Sequence, residues 1–460
     1  MLKFSSLLSF LLLVPLPATV NAQASALPQT ISIQSRALPK GYRSSSSLRR
    51  RALDPVNVPL DDFFLGTDLQ WFGNITVGTP PQIVSVNFDT GSFALEVTSD
   101  LCERCPQKKF NTTASTTFVD GNVTQTISFD TGEGVDPVID NDYSLTLRAA
   151  KDTIGLVGGF QAKDIDVFLI VNQTEKFDIE PYSGIQGLGA SAQGLFEALV
   201  NQGLPSLFSM YLTPKSVGNA ELTLGGIDSS KFTGELIYGS VPPDPSGKPP
   251  RLWLLQSSGI SVNGMTNDLL NTSREIIFDS GTSNVVFSTN ITEAIYSKIS
   301  PDIKPNPAEP GTYGIACDKV NSLPATIDLT FTSQNGTAFN LTIPSSELNV
   351  GPFSGNSSEC QTLINAVDHG FEIVGGSLMK HYYTVYDIGK QRLGFAKAVN
   401  VSDTTPSAVT SGNGTIAGSA QGGEQSKPSG ALSLRSSAWT VVLLMTVVLL
   451  MTVAFALVQI

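Results

Sequence analysis

One short pattern occurs twice in this chain of 460 residues, and it constrains the fold more than any other feature. Residues 88–92 read Phe-Asp-Thr-Gly-Ser, and residues 278–282 read Phe-Asp-Ser-Gly-Thr. At average composition, an Asp-[Ser/Thr]-Gly-[Ser/Thr] tetrapeptide occurs by chance in roughly a few per cent of chains of this length. Because Asp, Ser and Gly also cluster in turns, a single copy would indicate only a turn. Two copies behind apolar residues indicate a specific structure.

A second pattern follows each copy at almost the same distance. Residues 183–189 read Ser-Gly-Ile-Gln-Gly-Leu-Gly, and the fifth of them lies 98 residues beyond Asp89. Residues 372–376 read Glu-Ile-Val-Gly-Gly, and the fourth of them lies 96 residues beyond Asp279. The sequence therefore predicts two similar halves, each of which contributes one carboxylate.

Three further segments match one protein family in the same order along the chain. They read Ile-Thr-Val-Gly-Thr-Pro-Pro-Gln (75–82), Leu-Thr-Leu-Gly-Gly-Ile-Asp (222–228) and Tyr-Tyr-Thr-Val-Tyr-Asp (382–387). With the repeats, they make residues 68–398 similar to the pepsin-like aspartic endopeptidases. The resemblance implies an all-β fold in which two antiparallel β lobes, residues 52–235 and 236–400, enclose a cleft.

The resemblance also implies the active site and its chemistry. Asp89 and Asp279 would be the catalytic pair, which shares one proton and activates a water for attack on a peptide bond. In the family, Thr90 and Ser280 would join the two loops, and Ser92 and Thr282 would bond the carboxylates. Gly91 and Gly281 complete the residues that support the pair. The expected substrates are polypeptides, the expected state is a monomer, and the chemistry requires no metal or cofactor.

The region that should form the substrate-covering flap departs from the family. The family has a tyrosine near the flap tip, where this chain has Phe129, followed by Asp130, Thr131 and Gly132. The tryptophan that normally binds that tyrosine is replaced by Glu96. A second register would place Tyr143 in the flap. Two positions at which the family commonly has Asp are occupied here by Ser183 and Gly376.

Local patterns predict mainly strands. Turn residues 78–81 separate two apolar or alternating runs, and Pro301 ends a short helix. The predicted strands are residues 74–77, 83–89, 252–259 and 276–279, and the predicted helix is residues 291–299.

The four cysteines and two histidines limit other kinds of site. Four cysteines allow three disulfide pairings, between which spacing alone does not choose. A secreted context favours Cys102–Cys105, and the family pattern adds Cys317–Cys360. His369 and His381 have no nucleophile motif nearby, which argues against a Ser-His-Asp site, and they lack a matching carboxylate spacing for a metal.

Charge divides the chain into a basic beginning and an acidic remainder. Residues 1–51 contain seven Lys or Arg and no Asp or Glu, whereas the formal net charge of the whole chain is −12. Residues 52–460 therefore contain 21 basic and 40 acidic residues and have a net charge of −19. This balance argues against nucleic-acid binding.

The first 51 residues have the features of processing segments. Residues 1–22 combine Lys3, an apolar stretch and small residues at the end, which is typical of a secretory signal peptide. Residues 23–51 are basic and end in three arginines, which indicates a propeptide that is cut there. We expect Lys40 to approach the catalytic pair, and a disordered basic arm is the alternative interpretation.

The end of the chain indicates attachment to a membrane. Residues 401–436 are a Ser/Thr/Gly-rich linker, and the uncharged terminal stretch within residues 437–460 is long enough to span a bilayer. Because no basic residue follows that stretch, a GPI-anchor signal is favoured over a retained helix, with Ser429 or Gly422 at candidate attachment sites. The combination resembles the cell-surface aspartic proteases of fungi.

Glycosylation and substrate choice complete the expectations. With a signal peptide, several Asn-x-Ser/Thr sequons are expected to be glycosylated. Acidic Glu96 and Asp130 would favour basic substrate side chains. The altered flap leaves a second interpretation, a catalytically silent binding or cell-wall protein with the same fold. The sequons begin at Asn74, Asn111, Asn122, Asn172, Asn271, Asn290, Asn335, Asn340, Asn356, Asn400 and Asn413.

Overall fold

The computed structural model describes residues 53–131, 135–139, 141–191, 193–244, 246–368 and 370–399, and the backbone of residues 407–408. The predicted signal peptide, propeptide and terminal apolar stretch, together with Lys40, Gly132 and His369, lie outside these residues. Within the described ranges, no helix has the length and apolar character that crossing a bilayer requires.

The first half of the described chain is built mainly from strands. A single α-helix, α1 (Leu195–Asn201), and two 3-10 helices (Thr112–Ala114 and Glu175–Ile179) interrupt them in this range. The strands are β1 (Val56–Phe64), β2 (Asp68–Val77), β3 (Gln82–Asp89), β4 (Leu95–Thr98), β5 (Val119–Ser128), β6 (Ser144–Leu156), β7 (Gln161–Gln173), β8 (Gly184–Gly187), β9 (Leu207–Tyr211), β10 (Ala220–Leu224) and β11 (Phe232–Ser240).

The second half repeats this composition. Its helices are α2 (Thr289–Ile299), α3 (Cys317–Val320) and α4 (Gly376–Met379), with 3-10 turns at Ser345–Glu347 and Ile388–Lys390. Its strands are β12 (Leu254–Val262), β13 (Arg274–Phe278), β14 (Val285–Phe287), β15 (Lys304–Pro305), β16 (Tyr313–Ala316), β17 (Ile327–Thr332), β18 (Ala338–Ile343), β19 (Asn349–Phe353), β20 (Asn356–Thr362), β21 (Ile364–Ala366), β22 (Glu372–Val374), β23 (Tyr382–Asp387), β24 (Arg392–Ala398) and β25 (Ser407–Ala408).

The predicted elements are present with slightly different ends. The turn predicted at residues 78–81 joins β2 to β3, whose register pairs Val77 with Gln82. The predicted helix is α2, which begins two residues earlier than expected. The mostly β prediction for the fold is therefore confirmed.

Both halves use the same strand arrangement around the repeated motifs. In the first half, β3 runs parallel to β8, and β8 runs antiparallel to β4. In the second half, β13 runs parallel to β22, and β22 runs antiparallel to β14. The segments that follow each Asp motif at nearly equal distances are thus the strands that pair beside it. This arrangement explains the repeat seen in the sequence.

Strands from the two halves also share one sheet. Among the described residues, a thirteen-stranded sheet has the order β11-β24-β23-β9-β10-β1-β2-β3-β8-β4-β7-β6-β5. Its β9 pairs antiparallel with β23, which aligns Tyr211 with Tyr383. The predicted boundary between residues 235 and 236 falls inside β11, which pairs with β24. The lobes are therefore joined by hydrogen-bonded strands as well as by the linking chain.

The core continues across this junction. The ring of Phe208 on β9 stacks on Tyr386 of β23 with centroids 4.6 Å apart. Trp253 is buried against both rings and donates a hydrogen bond from Nε1 to the Leu188 carbonyl at 2.8 Å. Burial of such large side chains stabilises the junction by roughly 1.5–3 kcal/mol each. This aromatic packing makes the junction between the lobes rigid.

Candidate active site

The two repeated motifs meet at the junction of the lobes. Asp89 is the last residue of β3, and Asp279 directly follows β13. Their side chains are each 6% exposed and share a hydrogen bond. The parallel partners β8 and β22 fix the strand ends that present them. The structure therefore brings together two carboxyl groups that are 190 positions apart in the sequence.

The hydroxyl residues after each Asp bind the opposite loop. Thr90 N donates to Ser280 Oγ at 3.0 Å, and Ser280 N donates to Thr90 Oγ1 at 2.9 Å. Thr90 Oγ1 donates to the Phe278 carbonyl at 2.9 Å, and Ser280 Oγ donates to the Phe88 carbonyl at 2.6 Å. All four bonds are buried. This reciprocal network fixes the distance between the two carboxyl groups.

The motif glycines are required by close approach. A Cβ added to Gly91 would lie 2.6 Å from Cγ of Asp279, and a Cβ added to Gly281 would lie 2.6 Å from Cγ of Asp89. Gly91 N also donates to Asp89 Oδ1 at 2.7 Å, and Gly281 N donates to Asp279 Oδ1 at 2.8 Å. A side chain at either glycine would push the opposite carboxylate away.

Burial and the neighbouring Asp89 raise the pKa of Asp279 well above its ordinary value. Burial is the larger cause, because it disfavours the charged form. The hydrogen bond from Thr282 Oγ1 to Asp279 Oδ2, 2.7 Å long, opposes this shift. The pair is therefore arranged to hold one proton while its other member is ionised.

Ser92 does not make the hydrogen bond that the resemblance implied. Thr282 binds its carboxylate as expected, whereas Ser92 Oγ is buried and has no hydrogen-bond partner within the described part of the chain. The β-methyl group of threonine restricts its side-chain rotation, and serine lacks this restriction. The two copies of the motif therefore differ at this hydroxyl.

The flap residues predicted from the sequence lie over the pair. Phe129, Asp130 and Thr131 line the cleft, and Thr131 Oγ1 lies 2.8 Å from Thr282 Oγ1. Because Thr282 donates its one hydroxyl proton to Asp279, Thr131 is the donor in this contact. Tyr143 directly precedes the returning strand β6, and its carbonyl accepts from Phe129 N at 2.9 Å. Both registers considered for the flap thus place a ring in the cleft.

The acidic insertion after the flap tip reaches the second lobe. The carbonyl of Val135 accepts hydrogen bonds from Asn284 Nδ2 at 3.1 Å and from the Gln361 side chain. A Cβ on Gly311 would lie 3.3 Å from Cγ of Pro137. These contacts hold the first lobe's insertion against the second lobe beside Thr282.

Glu96 is buried on β4 and is not among the residues that line the cleft. It is 4% exposed, and its Oε2 atom has no hydrogen-bond partner among the described residues. Burial and the neighbouring charge of Asp89 raise the pKa of Glu96 to about 8. A carboxyl group with this pKa carries its proton in acid. Glu96 therefore gives no support to a preference for basic substrate side chains in acid, whereas Asp130 lines the cleft and leaves that preference a prediction.

Replacing Glu96 by Gln is expected to flatten the pH dependence of stability. Between about pH 4.5 and 8 the unfolded chain has lost this proton and the folded chain keeps it, so stability falls as pH rises, by about 1.4 kcal/mol per pH unit. The free energy of unfolding, measured in urea, should fall between pH 5 and pH 7 in both proteins. This fall should be smaller by about 3 kcal/mol in the variant than in the unmodified protein.

The matched control is Glu197→Gln on α1, where the glutamate is exposed. It should leave the pH dependence unchanged. Burial also raises the pKa of Asp62 to about 8, so Asp62 contributes to the pH dependence of stability in the same direction. Because Asp62 is unchanged in both variants, its contribution cancels in the comparison. An equal pH dependence in Glu96→Gln and the unmodified protein would contradict the assignment.

A buried chain of amides near the pair was not predicted from the sequence. The Gln70 side-chain nitrogen donates to the Gly281 carbonyl, and Gln70 Oε1 accepts from Asn87 Nδ2 at 3.0 Å and from the Tyr182 hydroxyl. The three side chains are at most 2% exposed. The only available signal was the polar Asn87 close to Asp89 in a mostly apolar run, which also contains Ser85.

The cleft has a volume of about 260 Å³ and lies between the flap and the pair. Apolar side chains from both lobes form the wall of the cleft. Phe129, Phe177 and Ile185 come from the first lobe, and Ile277 and Ile373 come from the second. The full lining is Gln70, Asn87, Asp89, Gly91, Ser92, Ser128, Phe129, Asp130, Thr131, Tyr143, Phe177, Ile185, Leu252, Ile277, Asp279, Gly281, Phe371 and Ile373.

The remaining expectations concern cysteines, histidine and metal. Both expected disulfides are present, Cys102–Cys105 and Cys317–Cys360. His381 is buried, and its Nε2 lies 3.0 Å from Glu347 Oε1, away from the pair. In the described ranges, no three His, Cys, Asp or Glu side chains are grouped to bind a metal ion.

Of the two positions that lack the family's Asp, Gly376 has a local explanation. A Cβ on Gly376 would lie 2.6 Å from the Trp71 ring, which leaves no space for a carboxylate there. Ser183 is buried and its backbone amide donates to the Ser85 carbonyl at 2.8 Å, but nothing in the structure explains a serine at this position. Neither substitution touches the carboxyl pair.

A carboxyl pair between two β lobes is the arrangement of an aspartic protease, and comparison with known proteins agrees. Residues 70–398 match the family model described as eukaryotic aspartyl protease. An aspartic protease of Phaffia rhodozyma is 31% identical over 351 residues, 73% of this chain and 78% of the relative. Pepsin A of Rhinolophus ferrumequinum is 30% identical over 368 residues, 77% and 86% of the two chains. Rhizopuspepsin-2 of Rhizopus niveus is 29% identical over 361 residues, 75% and 83%. This chain belongs to the eukaryotic aspartyl protease family.

Proposed function

We propose that Asp89 and Asp279 are the catalytic groups with which this aspartic endopeptidase hydrolyses polypeptides in acid. The observation that carries the proposal is the contact between their two buried carboxyl groups at the base of the cleft. Burial and a like charge together keep one proton on such a pair. Because one chain supplies both groups, we infer that a monomer contains the complete site.

The proposed reaction uses the two protonation states of the pair. The ionised carboxylate removes a proton from a water, which attacks the peptide carbonyl carbon. The protonated carboxyl group donates its proton to the carbonyl oxygen as the tetrahedral species forms. The pair then passes the proton that it took from water to the amide nitrogen, and the C–N bond breaks. One hydroxyl of the tetrahedral species returns its proton to the pair as the carboxylic acid product forms, which restores the starting state. The roles belong to the coupled pair and are not divided between its members.

The other residues of the site would serve geometry and proton placement. The Thr90–Ser280 network holds the loops, and Gly91 and Gly281 allow the carboxyl groups to meet. Thr282 favours charge on Asp279 through its hydrogen bond. Phe129, Asp130 and Thr131 would cover the bound peptide. Ser92 would form part of the cleft wall.

A catalytically silent binding protein is not favoured. Its support is the replacement of the flap tyrosine and its tryptophan partner by Phe129 and Glu96. The carboxyl pair, both glycines and the interlocked hydroxyls are nevertheless intact. The deciding test is acid cleavage of a denatured protein by the protein freed of residues 1–51, and the loss of that cleavage on changing Asp279.

We also propose that the protein is secreted, processed and held at the cell surface by a GPI lipid, as in the fungal surface proteases that it resembles. The support is sequence alone: the apolar start, the tribasic site before Ala52, and the terminal apolar stretch without a basic flank. A basic propeptide lying over an acidic cleft would be released as carboxylates protonate.

Terminal mapping of the mature protein is expected to show both cleavages. Its first residue should lie near Ala52, and peptides beyond Ser429 should be missing, because a GPI signal is removed on attachment. A phosphatidylinositol-specific phospholipase should release the protein from intact cells, once inositol acylation has been excluded. Detection of the C-terminal peptide in the mature protein would contradict the lipid anchor, and an active enzyme that begins at Gln23 would contradict the propeptide.

A further inference from the structure

The cleft continues past the flap into a second, much smaller cavity. Asp130 and Thr131 line both of them, so the two spaces adjoin at the flap. The cleft has a volume of about 260 Å³, whereas the second cavity, which Thr282 also lines, has a volume of about 10 Å³. A cavity of this size holds at most about one water molecule, far less than an amino-acid residue needs. The path that leads from the carboxyl pair past Thr282 is therefore almost completely filled.

Residues 135–138, here called the strap, fill this path. Three of them, Asp136, Pro137 and Val138, line the second cavity from the side of the first lobe. Pro137 is buried, and a Cβ on Gly311 of the second lobe would lie 3.3 Å from its Cγ. The strap is thus packed between the two lobes. The second-lobe residues that line the cavity are Thr282, Asn284, Val286, Asn365 and Val367.

The second lobe also binds the backbone of the strap. The Val135 carbonyl accepts hydrogen bonds from Asn284 Nδ2 at 3.1 Å and from the Gln361 side chain. Asn284 is 4% exposed and Gln361 is 3% exposed, and buried amide groups of this kind are normally hydrogen-bonded. A peptide carbonyl of a substrate is an equivalent acceptor. Because the strap already supplies this acceptor, it competes with a substrate that extends in the same direction.

We propose that the strap closes the cleft on the Thr282 side and thereby limits how far a substrate extends from the scissile bond on that side. The inference rests on the proposed peptidase function. A residue next to the scissile bond fits within the cleft, whereas the next residue on the Thr282 side meets the strap. Distant parts of a substrate raise kcat/KM only through the contacts that they make. Lengthening a substrate should therefore help on one side of the scissile bond only.

The test uses peptides that share one cleavable core and have blocked ends, so that their charge is constant. One series adds up to three alanines on the amino side of the core, and the other adds them on the carboxyl side. Over three added residues in acid, kcat/KM should rise by about tenfold or more in one series and change by less than about twofold in the other. Mass spectrometry of the products verifies that every peptide is cut at the same bond. Equal gains in both series would overturn the inference.

The triple variant Val135→Gly/Pro137→Gly/Val138→Gly loosens the strap. It removes the packing of Pro137 against Gly311 and increases the backbone freedom that closure must restrict. The series that did not respond to length should now respond, with kcat/KM at least about threefold higher for its longest peptide than for its shortest. The matched control is Pro243→Gly, which changes an exposed proline in the loop between β11 and β12. It should keep the difference between the series.

The remaining outcomes separate the inference from the peptidase function. A difference between the series that survives unchanged in the triple variant would overturn the inference, because the strap would not be its cause. If the triple variant fails to fold, the two series measured on the unmodified protein still decide. If no peptide is cleaved in acid, the peptidase proposal fails. Binding of the same two series, measured by the fluorescence anisotropy of labelled peptides, then decides whether the strap closes one side.

Discussion

Replacement of Asp279 by Asn is expected to lower kcat by about 10²–10⁴-fold, the size of a lost general acid or base, while the fold survives. Asn keeps the shape of the side chain, and its oxygen retains the hydrogen bond from Gly281 N. It cannot take part in proton sharing with Asp89. The measurement is single-turnover cleavage of a peptide, with thermal unfolding of both proteins as the check on folding.

The pH profile supplies the second part of this prediction. Cleavage by the unmodified protein should be fastest in acid and fall when the pair loses its shared proton, because it then has no proton donor. The raised pKa of Asp279 extends the singly protonated range upward. Pepstatin, whose hydroxyl stands in for the attacking water, should inhibit this activity.

The control is Asp302→Asn, which changes an exposed carboxylate paired with Lys319 far from the cleft. It should leave both kcat and the pH profile unchanged. Retention of activity within tenfold in Asp279→Asn would remove Asp279 from the catalytic pair. A folded, propeptide-free protein that cleaves nothing between about pH 3 and 6, the range set by carboxylate pKa values, would refute the peptidase function itself.

Replacement of Ser280 by Ala is expected to lower the free energy of unfolding by about 2–6 kcal/mol. The change removes the hydroxyl that donates to the Phe88 carbonyl and accepts from Thr90 N. Both partners are then buried without a bond, and each costs about 1–3 kcal/mol. The measurement is urea unfolding at pH 5, at which both lobes should report one transition if they unfold together.

Two further variants test whether this loss belongs to the interlobe network. Ser322→Ala removes an exposed hydroxyl that bonds the Lys319 carbonyl, and it should change stability by less than about 0.5 kcal/mol. Thr90→Val removes the matching hydroxyl of the first lobe, and its loss should not add fully to that of Ser280→Ala, since the residues share partners. A loss below about 1 kcal/mol in Ser280→Ala would contradict a stabilising role for the network.

The mostly β fold and the meeting of Asp89 with Asp279 were predicted through the resemblance to a family, which the repeated motifs carry. Each motif specifies its own turn, and the strands that pair with it follow at a nearly fixed distance. The reciprocal bonds of Thr90 and Ser280 follow from the same symmetry. Most of the carboxyl pair's surroundings could therefore be read from the sequence through its resemblance to a family.

The features that the sequence did not reveal depend on contacts between distant positions. Gln70 reaches Gly281, 211 residues away, and Gln361 reaches Val135, 226 residues away. Glu96 reads as a polar interruption in a short strand, and only the structure shows that it is buried. The missing bond of Ser92 is a matter of side-chain rotation, which a motif does not specify.

The pairing of β9 with β23 has a consequence for the order of events on the ribosome. Leu207–Tyr211 is made more than 170 residues before its partner Tyr382–Asp387 emerges, so the first lobe completes synthesis with one strand edge unpaired. Exposed edges of this kind invite pairing with other chains. At about 5–20 residues per second, that edge stays open for roughly ten to thirty seconds, which defines the interval in which a nascent chain depends most on chaperones.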